Sequence, residues 1–150
     1  MRPVVVRVEI DRPAAEVFAF LEDVENNTRW LRGMVSCRWT TRPPVRVGSR
    51  YEQVARFLGK EIRTGFEVTE LEPGRLVTIR SLPGSSFPVT VRREVEPTGA
   101  GRCRVTETVH SDPKGFYRLS GSVLRLLVGR NIRRDYQRLK RLLEERGTAG

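Results

Sequence analysis

Val4-Val5-Val6-Arg7-Val8-Glu9-Ile10 settles into strict alternation, with Val4, Val6, Val8 and Ile10 on one face, the mark of a half-buried strand. The period then changes. Asp11 is placed to cap a helix, Pro13 is tolerated in its first turn, and Ala14, Val17, Phe18 and Leu21 follow at helical spacing. Asp23 to Leu31 predicts a second short helix, with Trp30 and Leu31 at its end and Gly33 as a stop signal. From residue 34 onward, strands follow one another: Met34–Thr40, Arg50–Leu58, Glu61–Glu72, Arg75–Leu82, Pro88–Glu96 and Arg102–His110. Pro43-Pro44 and Gly48, Gly59, Pro73-Gly74, Pro83-Gly84 and Pro97–Gly101 mark the connections. Even spacing with short Gly/Pro turns predicts an antiparallel meander.

Asp112-Pro113-Lys114-Gly115 ends the strands, and residues 116–146 read as one helix, roughly 46 Å long if unbroken. Leu119, Val123, Leu126 and Leu127 make its apolar face, continued by Ile132, Tyr136, Leu139 and Leu143. The step from 127 to 132 exceeds one turn, and Gly129 costs helicity, so a bend is expected there. The predicted fold is α+β: a seven-stranded curved antiparallel sheet around a long C-terminal helix, with two short helices after the first strand. A sheet with one apolar face must be covered. A single helix touches a bent sheet along a line, so space is left for a ligand-sized cavity.

Composition narrows the class. With 150 residues, 38% hydrophobic and 31% charged, the chain suits one globular domain, 1–150, rather than a disordered segment. No apolar run reaches the ~20 residues of a membrane span, and the N-terminus has too short an apolar stretch for a signal peptide. A cytoplasmic protein is expected. Net charge is +10, but the densest run, Arg130 to Arg141, alternates with apolar residues on a predicted helix and reads as a solvated face. No zinc finger, RNP-like motif or helix-turn-helix pattern is present, so nucleic-acid binding is expected to be weak, non-specific and salt-sensitive. Cys37 and Cys103 lack metal spacing and are expected as reduced thiols. His110 has no partner cysteines or carboxylate cluster and is out of phase with Val109, so no metal site and no histidine acid/base is expected.

Three stretches carry a family likeness: Val8–Val24 (VEIDRPAAEVFAFLEDV) with Trp30 after it, Phe66–Leu76 (FEVTELEPGRL), and Asp135–Glu144 (DYQRLKRLLE). With these the chain resembles the START-like (helix-grip, SRPBCC) superfamily, in its polyketide cyclase/dehydrase-like branch. The likeness covers nearly the whole chain and implies the fold. It implies no cofactor and no catalytic residue, since Pro13, Glu16, Phe18 and Pro73-Gly74 serve structure. The superfamily's lipid carriers, hormone receptors and aromatase/cyclases leave the function open.

Alternation nominates the cavity lining: Tyr51, Gln53 and Phe57; Thr64 and Phe66; Ile79; Val91 and Arg93; Glu107; and Val123 and Leu127 from the helix. Trp39 is a further aromatic candidate, with plain core packing as the alternative for each aromatic. Arg93 and Glu107 stand out, because a charge on an apolar face is costly unless paired or wet. Counted out from Gly99, a simple hairpin puts them about two residues out of direct opposition, within a diagonal reach of ~7–8 Å. A pair there would anchor a polar ligand group, with Glu107→Gln changing ligand affinity more than stability and Arg93→Met weakening anionic or carbonyl ligands; the alternative is a register error, bulge or open strand end that leaves both side chains in solvent. Three functions follow. The first is binding or carriage of an apolar or aromatic small molecule, such as a lipid, isoprenoid or polyketide-like compound, by a monomer or weak homodimer. The second is a cyclase/dehydratase with Glu107 as general base and Arg93 polarising a carbonyl. The third is an accessory protein that docks a partner through its basic C-terminal helix.

Overall fold

The computed structural model describes residues 3–85, 88–111 and 121–149, the last three without their side chains. In chain order the elements are β1 (Val4–Ile10), α1 (Ala14–Glu22), a 3-10 turn (Val24–Asn26), α2 (Asn27–Trp30), β2 (Met34–Trp39), β3 (Arg50–Phe57), β4 (Lys60–Glu72), β5 (Leu76–Ser81), β6 (Val89–Gly99), β7 (Arg102–Ser111) and α3 (Gly121–Ala149). The seven strands form one antiparallel sheet in the order β1-β7-β6-β5-β4-β3-β2. The predicted helix-grip architecture is therefore the observed one. The expected starts of the last helix at Phe116 and of its apolar face at Leu119 lie outside the described residues.

Alternation works where the sheet has one covered face. On β1, Val4, Val6, Val8 and Ile10 are buried and the residues between them exposed. The curvature has a local cause. Register shifts between Met34 and Ser36, Val68 and Glu70, and Pro97 and Gly99 each insert one extra residue. Such bulges bend the strand that carries them. The core then runs from β1 through Val105 and Val95 to Phe66 and Val68, closed by Phe18 and Leu21 of α1, by Trp30, and by Tyr136, Leu139 and Leu143 of α3.

Three details depart from expectation. Asp11 does not cap α1. Pro13 occupies the N-cap without a side-chain bond, while the Asp11 carboxylate accepts from Arg102 Nε at 3.0 Å and its N–H donates to Glu144 at 2.8 Å. The predicted second helix is a 3-10 turn followed by one short α-helical turn, with Asp23 accepting from the Glu25 N–H. Most consequential, α3 is uninterrupted through Gly129, and its buried face is the predicted one at Tyr136, Leu139 and Leu143 but not before Gly129. Val123 and Leu126 are 43% and 67% exposed, whereas Leu124 is fully buried. Stepping back from Tyr136 four residues at a time leads to Ile132, Val128 and Leu124, with Gly129 beside Val128. Gly129 is thus part of the contact face, not a breaker. A Cβ there would lie 3.4 Å from Val4 Cγ1, so the missing side chain lets α3 lie close on β1.

Candidate functional site

Besides lying along β1 at Gly129, α3 meets the sheet at two separated places. Near its start, Leu124 packs with Ile62 and Phe57 on the β3–β4 hairpin. Farther on, Tyr136, Leu139 and Leu143 join the main core. Roughly 18 Å of helix separates Leu124 from Tyr136. Between the two contacts lies a cavity of about 470 Å3, within the range of pockets that hold drug-sized molecules. Its wall is mostly apolar, with Phe57, Ile62, Phe66, Val91, Val109 and Val128 contributing.

Of the nominated lining residues, Gln53, Phe57, Thr64, Phe66, Val91, Arg93 and Glu107 lie around this cavity. Tyr51, Ile79, Val123 and Leu127 do not. Tyr51 faces inward but is fully covered, stacked on Phe66 at 5.1 Å and edge-on to Trp39 at 5.5 Å. Ile79 is buried in the continuous core. Val123 and Leu127 miss because of the helix phase described above: Val128, Asn131, Ile132, Arg134, Asp135 and Arg138 are the α3 residues that line the space. Trp39 lines a different hollow, beside the Pro43-Pro44 loop, and its indole N–H donates to Asp23 at 3.1 Å. His110 is exposed, as its phase predicts. Cys37 and Cys103 are free and buried; burial pushes their thiols up to about 12 and about 11, which leaves them unreactive.

Arg93 and Glu107 are both buried and directly opposed across β6 and β7, not two residues apart. The turn is centred one to two residues later than a count from Gly99 assumes, because Gly99 pairs with Arg102, and the extra residue at Thr98 absorbs the remaining offset. Arg93 Nε donates to Glu107 Oε1 at 2.7 Å. The Tyr136 hydroxyl, arriving from α3, donates to the same oxygen at 2.7 Å. Beneath them the Arg93 guanidinium lies 5.2 Å from the Trp30 ring centre, and Trp30 meets Tyr136 edge-on at 4.8 Å. Burial alone would favour a neutral Arg93, but the adjacent Glu107 carboxylate outweighs it and holds the guanidinium charged above its usual range. Burial, reinforced by Glu107, likewise raises the Tyr136 phenol well above its ordinary value, so it remains a donor.

The sequence reading missed Asp135. It sits on the cavity wall one residue before Tyr136, and its carboxylate accepts the Arg32 N–H at 3.2 Å. Burial raises it to about 6; the Arg32 N–H and the Arg138 charge pull it down, while Glu107 pushes it up. It is therefore a half-buried cavity carboxyl that holds its proton more tightly than an ordinary carboxylate. Its only signal in the sequence was its position one residue before an apolar helix residue, which does not distinguish it from a surface charge. Among the described residues, no group of His, Cys, Asp and Glu is arranged to hold a metal ion, and no helix is long and apolar enough to cross a membrane.

The model of the family described as polyketide cyclase/dehydrase and lipid transport matches residues 1–144. The chain belongs to that family. Its fold is similar to a START superfamily protein from Mycobacterium smegmatis, with a TM-score of 0.78, 16% identity and coverage of 97% of this chain and 99% of that one. It is also similar to the Zhui aromatase/cyclase from Streptomyces sp. R1128, with a TM-score of 0.74, 16% identity and coverage of 97% and 94%. A protein from Thermus thermophilus gives a TM-score of 0.76, 21% identity and coverage of 93% and 94%. At these identities the likeness establishes a START-like fold. The comparison with curated proteins gives no match.

Proposed function

We propose that this polyketide cyclase/dehydrase family member is a one-domain binding protein that holds an apolar or aromatic small molecule in the cavity under α3. The observation that carries the reading is the cavity itself. It is ligand-sized and mostly apolar, with a buried Arg93–Glu107 pair, Gln53, Thr64 and Asn131 on the wall and charged residues where α3 meets the α2–β2 connection. Carriage needs only shape, an apolar wall and a polar anchor. Native mass spectrometry of protein purified from its own host tests it. A co-purifying small molecule, released on denaturation, is the expected result. Apoprotein alone, together with failure to take up a neutral apolar fluorophore, would refute binding.

One observation favours a second reading, a cyclase or dehydratase. Glu107 is a poor general base, since two donors already converge on its Oε1. Asp135, raised to about 6 at the cavity wall, is the better candidate to accept a proton at neutral pH. If the cavity turns over a polyketide-type substrate, Asp135→Asn abolishes turnover while leaving ligand uptake in place. Uptake without turnover in the wild-type protein leaves binding as the function.

A further inference from the structure

The cavity wall is apolar, but one edge of it is strongly basic. The Arg56 N–H donates to Gly33 O at 2.7 Å, tying β3 to the α2–β2 connection. The next residue back, Arg32, donates its N–H to Asp135 on α3. Arg134 adjoins Asp135 in sequence, and Arg138 follows one turn after Arg134 on the same helix. Arg32, Arg56, Arg134 and Arg138 are all part of the cavity lining, and these backbone ties bring the stretches of chain that carry them together at one edge. The opposing charges there are few. Arg56 is shared with exposed Glu61 at 3.6 Å, and Asp135 faces Arg32 and Arg138. The deeper charges, Arg93 and Glu107, neutralise each other. The edge therefore keeps an excess of positive charge directly beside an apolar space.

We propose that the cavity takes a single-chain anionic amphiphile, its tail among Phe57, Ile62, Phe66 and Val91 and its carboxylate or phosphate head at the rim formed by Arg32, Arg134 and Arg138. This rests on the ligand-binding reading above and sharpens it. Guanidiniums present paired N–H donors that match the two oxygens of such a head. An apolar ligand with no charge would gain nothing from the rim. A cationic one would be repelled by it.

Competition against the neutral fluorophore N-phenyl-1-naphthylamine separates the possibilities. Dodecanoate, dodecyl phosphate, dodecanol and dodecylammonium share one tail and differ only at the head. Either anion is expected to displace the probe roughly tenfold or more better than dodecanol, as one or two charge-assisted hydrogen bonds would give. Dodecylammonium should be the weakest. The comparison between the two anions tells whether the head is a carboxylate or a phosphate. In Arg134→Gln/Arg138→Gln the anionic advantage should largely vanish with dodecanol and the probe unchanged. Asp135→Asn, which removes the rim's own anion, should raise affinity for the anions alone. Equal displacement by all four heads in the wild-type protein overturns the proposal while leaving ligand binding intact. Failure of the probe itself to bind overturns both.

Discussion

Glu107→Gln is the most demanding perturbation of this molecule. The sequence alone predicts an effect on ligand affinity more than on stability; from the structure, the larger effect is expected on stability. Glu107 and Arg93 side chains are only 5% and 7% exposed, and the carboxylate neutralises the guanidinium at 2.7 Å. Glutamine keeps the volume and a hydrogen-bond acceptor for Tyr136. It does not keep the charge, so Arg93 is left as a buried cation with only the Trp30 ring and neutral dipoles around it. Breaking a buried ion pair on one side typically costs ~3–5 kcal/mol. For a chain of this length that corresponds to a fall in Tm of roughly 6–20 °C. Arg93→Met should cost a similar amount, since it leaves Glu107 with Tyr136 as its remaining donor.

The decisive measurement is a double-mutant cycle by urea denaturation at pH 7. If charge burial dominates, the stability lost in Arg93→Met/Glu107→Gln falls well below the sum of the single losses, because neither residual charge remains. A double variant within about 2 kcal/mol of wild type is the expected result, in line with buried pairs that are replaceable by uncharged groups but intolerant of being halved. Single losses below about 0.5 kcal/mol that simply add would refute the reasoning, since that is surface behaviour.

Leu139→Ala should cost about 2–5 kcal/mol in the same assay, because Leu139 is fully buried, whereas Leu126→Ala should stay within ~0.5 kcal/mol because Leu126 is exposed. Asp135 gives a pH signature: its folded value of about 6 lies above the ordinary carboxylate value of 3.8, so the folded state holds the proton more tightly and stability falls as pH rises from about 4 through about 6. Discounted for solvent at the cavity mouth, Asp135→Asn should remove about 1–2 kcal/mol of that decline, measured as the difference between urea midpoints at pH 4.5 and pH 7.5 for the two proteins. An unchanged difference would place Asp135 in ordinary solvent.

Where one period ran unbroken, the residues alone sufficed. Arg93 lies in phase with Val91 and Val95, and Glu107 with Val105 and Val109, so both were recognisable as charges on an inward face. Their direct opposition was not, because it depends on an extra residue at Thr98 that no count from a glycine anticipates. On α3 the pattern misleads at Gly129. A glycine in a helical pattern signals a break by propensity, yet here it lies on the contact face against Val4. The spacing of Leu119, Val123, Leu126 and Leu127 likewise nominates one apolar face, whereas Leu124 and Val128 are the residues turned inward. Tyr136 falls on the buried face as expected, but its bond to Glu107 joins residues 29 apart in sequence and follows only from how α3 crosses the sheet. The arginine rim is hidden for the same reason. Arg32, Arg56 and Arg138 belong to three separate stretches and look like dispersed surface charge until the Gly33 and Asp135 bonds bring them to one edge.

The buried pair and the cavity have one geometric origin. A slip of one residue between β6 and β7 would turn one strand's inward set to the other face. Arg93 would then lose its carboxylate and Val91 its place on the cavity wall. Only the bulged register satisfies both, so a mispaired hairpin carries an unpaired charge in the core as well as a lost apolar contact. Tyr136 extends the same constraint to the helix. Its hydroxyl reaches Glu107 only in the α3 phase that also sets Val128, Ile132 and Asp135 against the cavity. A fully apolar centre would tolerate rotation of α3 about its axis and closure of the space beneath it. The three-residue polar contact opposes both motions, because each leaves a buried donor or acceptor without a partner. On this reading the Arg93–Glu107–Tyr136 contact is there to hold an apolar space open in one shape, and its stability cost is secondary to that.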